Sequence, residues 1–371
     1  MSSKNLYDKP FDEGTIIKLQ IFQKYFEEWL PPFVMHDFNK PIQVFDLFAG
    51  SGYDINGVAG SPIRIVEIIR KHSTILRKKN KQVFLFFNDL DKTKTSKLET
   101  EVNKIIYEFG LTKHIQSFFT SIPFSDCLKK YSSLFRKGCN LIFIDQNGFK
   151  EVNESIFHFL INLETSEFIF FISSSHIHRF ANEAEVQKYH PKFDFEKIRI
   201  SSRKKVHNVI SEEFQKYVPK NINSYGLIPF SIMKDDKNNV YGLIFVSKHI
   251  LGADKFLRTV WGKNVINGNA NFDIDEDIKK NQIDMFTGVT LNKIESFQNN
   301  VRDLILNGEI KNNSDAYYYT INQGHLGTHA SDEIKRMKKE KIITFKSTSP
   351  LVNYDKVIKD KRIIEYLVTN K

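Results

Sequence analysis

Five short apolar runs, each followed by a stretch of helical character, constrain this chain more than any other feature. The runs are Pro41–Leu47, Val83–Phe87, Ile115–Thr120, Leu141–Ile144 and Glu167–Ile172. Val83–Phe87 (VFLFF) is apolar at every position, as a strand covered on both faces requires. Between the runs, Ser61-Pro62 opens one helix, with Ser as cap and Pro at the first helical position. Lys97–Phe109, Phe124–Phe135 and Asn153–Leu163 read as others. Strand–helix alternation repeated five times predicts a parallel sheet with helices on both faces. Two later runs, Tyr225–Met233 and Val240–Ser247, flank the turn-rich Lys234–Asn239 and read as a hairpin.

Before the sheet, Ile16, Leu19, Phe22, Phe26, Trp29 and Leu30 recur at helical spacing, with Lys18 and Lys24 on the other side and Pro31-Pro32 as the stop. That stripe reads as core packing. Composition excludes several classes. Apolar residues at 41% and aromatics at 13% rule out a disordered chain. Two cysteines, Cys127 and Cys139, exclude a disulfide framework or a Cys-rich metal site. The apolar runs are too short to span a bilayer, and Met1–Asn5 lacks a signal-peptide core, so a soluble cytoplasmic protein is expected. The 54 Lys and Arg against 44 Asp and Glu leave a net charge of +10, compatible with nucleic acid as a partner and also with the Lys-, Asn- and Ile-rich bias of an AT-rich genome.

The chemistry concentrates at the ends of the expected strands. Val44–Gly52 (VFDLFAGSG) ends the first one. Ligands of such sheets bind beyond the carboxyl ends of the strands, where strand order reverses. Glycine lets the backbone turn sharply and approach a ligand. An acid followed by two glycines suits the amino acid end of S-adenosylmethionine (SAM) better than a pyrophosphate. Asp46, Phe48, Ala49, Gly50, Ser51 and Gly52 are therefore the expected cofactor loop. Asp89, the first acid past the second strand, is the expected ribose ligand, with Asp91 as the cap of the following helix. Asp145 and Phe149 end the fourth strand, where amino-methyltransferases carry an Asp/Asn-Pro-Pro-aromatic run that holds and stacks the target. Both prolines are absent here. Asp145 either positions or deprotonates a nucleophile, or only hydrogen-bonds cofactor or backbone. His176 and His178 follow the fifth strand without a third ligand in view, so no metal site is expected.

Five parallel strands followed by a hairpin fit a Rossmann-like α/β fold, the seven-stranded sheet of class I methyltransferases, in which the last strand inserts antiparallel. The expected organisation is a helical extension over 1–40, a methyltransferase-like domain over 41–262 with a helical insertion at 175–220, a linker over 263–274, and a winged-helix-like α+β module over 275–371. In that module Leu291–Leu306 reads as helix, Ala316–Ile321 as strand, Ala330–Ile342 as a basic helix and Ile342–Phe345 as strand. Lys335, Arg336, Lys338 and Lys339 are candidate phosphate contacts on a recognition-type helix, although acids near its start and bases near its end also suit the helix dipole.

With these segments together, the chain resembles the three-Cys-motif partner protein (TcmP) family. The resemblance is carried by Lys18, Tyr25-Phe26, Trp29-Leu30, the Phe45–Gly52 loop, Gly57, Gly60-Ser61-Pro62, Phe84–Asp89, Phe143-Ile144-Asp145, Gly148-Phe149, Arg179-Phe180, Gly242–His249 and Gly252, Phe256, Trp261. It implies a SAM-binding fold and a partner with three cysteines in a radical-SAM-like arrangement, and no settled substrate; action on nucleic acid is expected from the net charge and the basic C-terminal helix. The sequence departs from the family at three strand ends: Asp145-Gln146-Asn147-Gly148 replaces Asp-Pro-Phe-Gly, Asp89 or Asn88 replaces Glu, and Thr120-Ser121 stands where an acid often contacts adenine. The missing prolines favour an alternative, a non-catalytic nucleic-acid-binding or partner protein that reuses the fold. A metal-dependent nuclease or hydrolase using Asp145, His176 and His178 is a further alternative.

Overall fold

A computed structural model describes residues 9–36, 39–146, 148–222, 226–233, 239–280 and 291–369. The chain divides into two compact units, Met1–Lys248 and His249–Lys371.

The first unit is built on one sheet. Its strands are β1 (Ile42–Asp46), β2 (Val83–Asn88), β3 (Ile115–Thr120), β4 (Cys139–Ile144), β5 (Ser166–Ile172), β6 (Leu227–Met233) and β7 (Val240–Val246). They lie in the order β3-β2-β1-β4-β5-β7-β6. Strands β1 to β5 pair parallel, and β7 alone runs against its neighbours β5 and β6. That order, with the reversed strand inserted next to last, is the class I methyltransferase sheet. The central strands β1 and β4 are buried along their whole length, which explains why most of their residues are apolar on both faces, with Gln43, Asp46 and Asn140 as buried polar exceptions. The order reverses between β1 and β4, so the crevice between their carboxyl ends is where a ligand belongs. The turn expected between β6 and β7 falls at 234–238, outside the described residues, as does Tyr225.

The helix Glu13–Met35 covers one face of this sheet, capped by Asp12, whose side chain accepts from the Thr15 N–H. Phe22 stacks on Phe143 of β4 with ring centroids 4.2 Å apart, and the Tyr25 hydroxyl donates to Glu167 of β5. The helix does not stop at Pro31-Pro32. It runs one turn further, because the Pro32 carbonyl still accepts from His36 N–H at 3.0 Å and Val34 is buried. Nor does Lys18 face water as its place in the helical pattern implied; it is buried. The helix after the glycine loop, Ser61–Lys71, begins one residue early, with Gly60 as cap and Ser61 already inside. Between β5 and β6 the chain forms four short helices, Ser174–Arg179, Ala184–Gln187, Phe195–Ile200 and Val206–Gln215.

The second unit opens with the helix Ile250–Lys263, which the sequence had placed in the sheet domain. The Asn-rich stretch after it is a folded loop and not an open linker. Asn267 is fully buried and donates to the Phe272 carbonyl at 2.9 Å, while Asn264 donates to Ala270 at 2.8 Å. Helices Lys293–Leu306, Asn313–Asn322 and Gly327–Lys339 follow, then β8 (Ile343–Thr344) paired antiparallel with β9 (Leu367–Val368). The strand expected at Ala316–Ile321 is therefore a helix. Asn312 caps it by accepting from the Ser314 and Asp315 N–H groups, and Ala316, Tyr317, Thr320 and Ile321 share its buried face. Capping and burial at helical spacing outweigh the β preference of three consecutive tyrosines.

Candidate functional site

The carboxyl ends of β1, β2 and β4 bring three acids toward one crevice. Asp46 closes β1 with its residue fully buried. Its Oδ1 accepts from the Phe48 N–H at 3.3 Å. Its Oδ2 is buried and meets no donor at hydrogen-bonding distance and angle among the described residues. Burial pushes the Asp46 carboxyl up to about 7; the nearby charges of Asp145 and Asp89 add to this, and the Ser61 hydroxyl and Phe48 N–H offset it in part. A buried carboxylate oxygen without a partner is costly, and few native structures retain one without a role for it.

The glycine loop that follows is held mainly by the end of β2. Gly50 takes a left-handed φ of +68° and donates its N–H to Asp89 Oδ2 at 3.0 Å. Ala49 donates to the Asn88 carbonyl at 2.8 Å, and the Ser51 hydroxyl bonds the Tyr53 carbonyl at 3.3 Å. Phe48 packs beside Phe124 with centroids 5.3 Å apart. Gly52 has φ +94°, and a Cβ there would lie 3.2 Å from Leu98 Cδ1 and 3.3 Å from Ile63 Cγ1. The left-handed φ is what favours glycine at 52, and the neighbouring Leu98 and Ile63 side chains leave little room for a larger residue. Asp89 was read as a ribose ligand. Besides Gly50, it also accepts from the Asp91 N–H at 2.9 Å, so it braces the loop from below. Each oxygen keeps one lone-pair direction for a hydroxyl. Asp91 caps the Lys92–Glu108 helix, as the sequence suggested.

At the end of β4, Asp145 is not an open acceptor. Lys18 Nζ lies 2.5 Å from its Oδ2, with the two side chains 7% and 21% exposed. The same ammonium stands 4.7 Å over the Phe171 ring centroid. Phe149 was read as a platform for a target base. Its ring is 2% exposed and lies against His176 and Tyr189, so here it serves packing. Asn147 of this loop is outside the described residues. His176 also packs on Phe180, and the His178 ring contacts the Ser201 carbonyl at 3.1 Å. No third metal-type ligand joins them among the described residues.

Sequence reasoning missed two residues that shape the site. Asn88, the last residue of β2, donates to the Ile122 carbonyl at 3.0 Å and accepts from the Thr120 hydroxyl at 2.9 Å, tying the ends of β2 and β3 together. Gln146, directly after Asp145, is 1% exposed, donates to the Phe171 carbonyl at 2.9 Å and accepts from the Glu151 N–H at 2.9 Å. An amide following an apolar strand was the available signal in both cases. The loop Tyr53–Gly60 is likewise organised by Asp54, which accepts from the N–H groups of Phe11, Asn56 and Val58.

In the second unit the four basic candidates separate. Lys338 spends its ammonium inside the unit, on the carbonyls of Phe345 at 3.1 Å and Ser347 at 2.9 Å, and stands 3.9 Å over the Phe345 ring centroid. Arg336 lies 3.0 Å from buried Glu333 and 3.3 Å from Gln298. Lys335 pairs at 3.3 Å with Asp332 on the surface, a contact water readily exchanges. Lys339 is exposed.

No family model matches the chain, and no curated protein matches it. Among solved structures, the chain is similar to the methyltransferase domain of bacterial CtHen1-C, at 12% identity over 62% of this chain and 98% of that one, with a TM-score of 0.31. The strand order and its single reversed strand carry the fold assignment. Among the described residues, no helix is long and apolar enough to cross a membrane.

Proposed function

We propose that the first unit binds SAM over the Asp46–Gly52 loop, and that the protein is a methyltransferase-like protein acting on nucleic acid. One observation carries this reading: the buried Asp46 carboxyl at the strand-order reversal, whose Oδ2 meets no donor in full hydrogen-bond geometry among the described residues. An ammonium group there would supply the missing partner and favour the charged carboxylate. Asp46 would hold the amino acid end, the Gly50 turn would admit the ligand close to backbone, and Asp89 would accept from the ribose with its remaining lone pairs. SAM, when bound, supplies an electrophilic methyl group on sulfur. Asp145, paired with Lys18 at the end of the adjacent strand, would stand on the side of the methyl acceptor. Titration calorimetry with SAM and S-adenosylhomocysteine tests the reading. Binding of both is expected, and a folded protein that binds neither overturns it.

The nucleic-acid part of the proposal rests on the basic Gly327–Lys339 helix, followed by a short β pairing in the manner of a winged helix, and on the +10 net charge. Lys335 and Lys339 are the phosphate contacts best placed to act. Replacing both by Gln should weaken binding to a mixed-sequence oligonucleotide and lower the slope of log K against log salt by about 0.9 per contact on duplex DNA. Lys338→Met should instead lower the melting temperature, because it removes a ring contact and two charge-assisted hydrogen bonds. An unchanged salt slope in the double variant would count against this surface. A partner with a three-cysteine motif belongs to the same proposal through the sequence resemblance, and co-purification from co-expressing cells tests it.

A second reading has its own support. The Lys18–Asp145 pair and the buried Phe149 ring favour a non-catalytic protein that keeps the fold and the ligand site. In that case SAM binds and no methyl group leaves it in the presence of nucleic acid.

A further inference from the structure

The Glu13–Met35 helix carries a cation into an acidic crevice. Lys18 is 5% exposed, yet an apolar side chain would fit the same helical face and cover Phe171 as well. A buried ammonium is retained only when paired, and Lys18 is paired with Asp145. That carboxylate is near enough to Asp46 for its charge to be felt there. Asp46 ends β1 and Asp145 follows the neighbouring strand β4, so the Lys18 ammonium paired with Asp145 lies at the same sheet edge as Asp46. The ammonium acts as a fixed charge.

We propose that Lys18 sets the charge selectivity of the ligand site: its ammonium offsets the carboxylate cluster and determines how strongly the site prefers a sulfonium ligand over the matching neutral thioether. The inference rests on the SAM reading above and goes beyond it by assigning a specificity role to the N-terminal helix. SAM and S-adenosylhomocysteine differ by one methyl group and one positive charge at sulfur. They share the amino acid end, the ribose and the adenine. A change in cluster charge therefore acts on their ratio, while a packing defect acts on both alike.

The test is calorimetry with both ligands at pH 8 on the full chain, with circular dichroism as the check on folding. Lys18→Met should tighten SAM relative to S-adenosylhomocysteine by about tenfold, equal to about 1.4 kcal/mol. Lys18→Gln, which keeps a donor for Asp145 but no charge, should shift the ratio in the same direction, and it decides the matter if the Met variant fails to fold. Lys18→Met combined with Asp145→Asn removes one charge of each sign and should return the ratio to near the wild-type value. A ratio unchanged in Lys18→Gln, or shifted toward the thioether, overturns the proposal while leaving SAM binding standing. Wild-type protein that binds neither ligand removes the SAM reading and this inference with it.

Discussion

Asp46→Asn should make the protein more stable at pH 8 and abolish its affinity for SAM. The sign follows from where the group titrates. Burial lifts the Asp46 carboxyl from its ordinary 3.8 to about 7, with Asp145 and Asp89 adding to the rise. Between those two values the native chain holds a proton that the unfolded chain has released. Stability therefore falls as pH climbs through this window, and the full loss is present above pH 7. One pKa unit corresponds to 1.36 kcal/mol, so a rise of this size amounts to roughly 4 kcal/mol. Asparagine has the same shape without the charge and escapes the penalty. Urea unfolding at pH 4 and pH 8 should show the two proteins close together at the lower value and the variant ahead at the higher one. Saturating SAM should reverse the order at pH 8, because a ligand that binds only the native wild type stabilises it by RT ln(1 + [L]/Kd). A variant less stable than wild type at pH 8 without ligand would show that Asp46 is a structural carboxylate. The coupling of these two effects distinguishes a binding carboxylate from a packing one: the residue that weakens the fold is the one the ligand needs.

The sheet was legible because each central strand is buried on both faces, and burial on both faces writes itself as unbroken apolar runs such as Val83–Phe87. The loop was legible for a similar reason. Left-handed φ angles at Gly50 and Gly52 demand glycine, and the acid before them stands at a strand end. Partnerships made by long-range folding were not legible. Lys18 lies 127 residues from Asp145 in sequence, and helical periodicity assigns such a lysine to water. Phe149 was misjudged because a ring at a strand end can face the crevice or the core, and only the placement of His176 and Tyr189 decides which. The three tyrosines of Asn313–Asn322 misled in the opposite direction. Their local preference is for strand, while the cap at Asn312 and the burial of Tyr317, whose hydroxyl donates to Asp254 at 3.1 Å, hold a helix. Lysines 335, 338 and 339 are equivalent as letters, yet only the fold shows that Lys338 is occupied internally.

Arg302→Met should destabilise the second unit by about 3 kcal/mol, and Glu333→Gln in the same chain should recover most of that loss. Glu333 lies on the Gly327–Lys339 helix with its side chain fully buried. Arg302, from the Lys293–Leu306 helix, places Nε 2.7 Å from Glu333 Oε1 and Nη2 2.8 Å from Glu340 Oε2. Arg336 holds the other Glu333 oxygen at 3.0 Å. Removing one partner of a buried ion pair costs about 3–5 kcal/mol, largely because the remaining charge is left in a poorly solvated place. Arg336 retains part of the compensation, which puts the expectation at the lower end. Glutamine at 333 removes the stranded charge and keeps an acceptor for Arg336, so the double variant should melt near wild type. Additive losses in the thermal-melting cycle would mean that Arg302 acts through packing alone. The same network bears on nucleic-acid binding. Arg336 lies on the helix proposed to meet phosphates, yet its guanidinium is committed to Glu333 and Gln298. Arg336→Gln should therefore lower stability as well as affinity, whereas Lys339→Gln should lower affinity alone. That contrast, read by melting and by salt-dependent binding on the same two proteins, separates the residues that build this helix surface from those that use it.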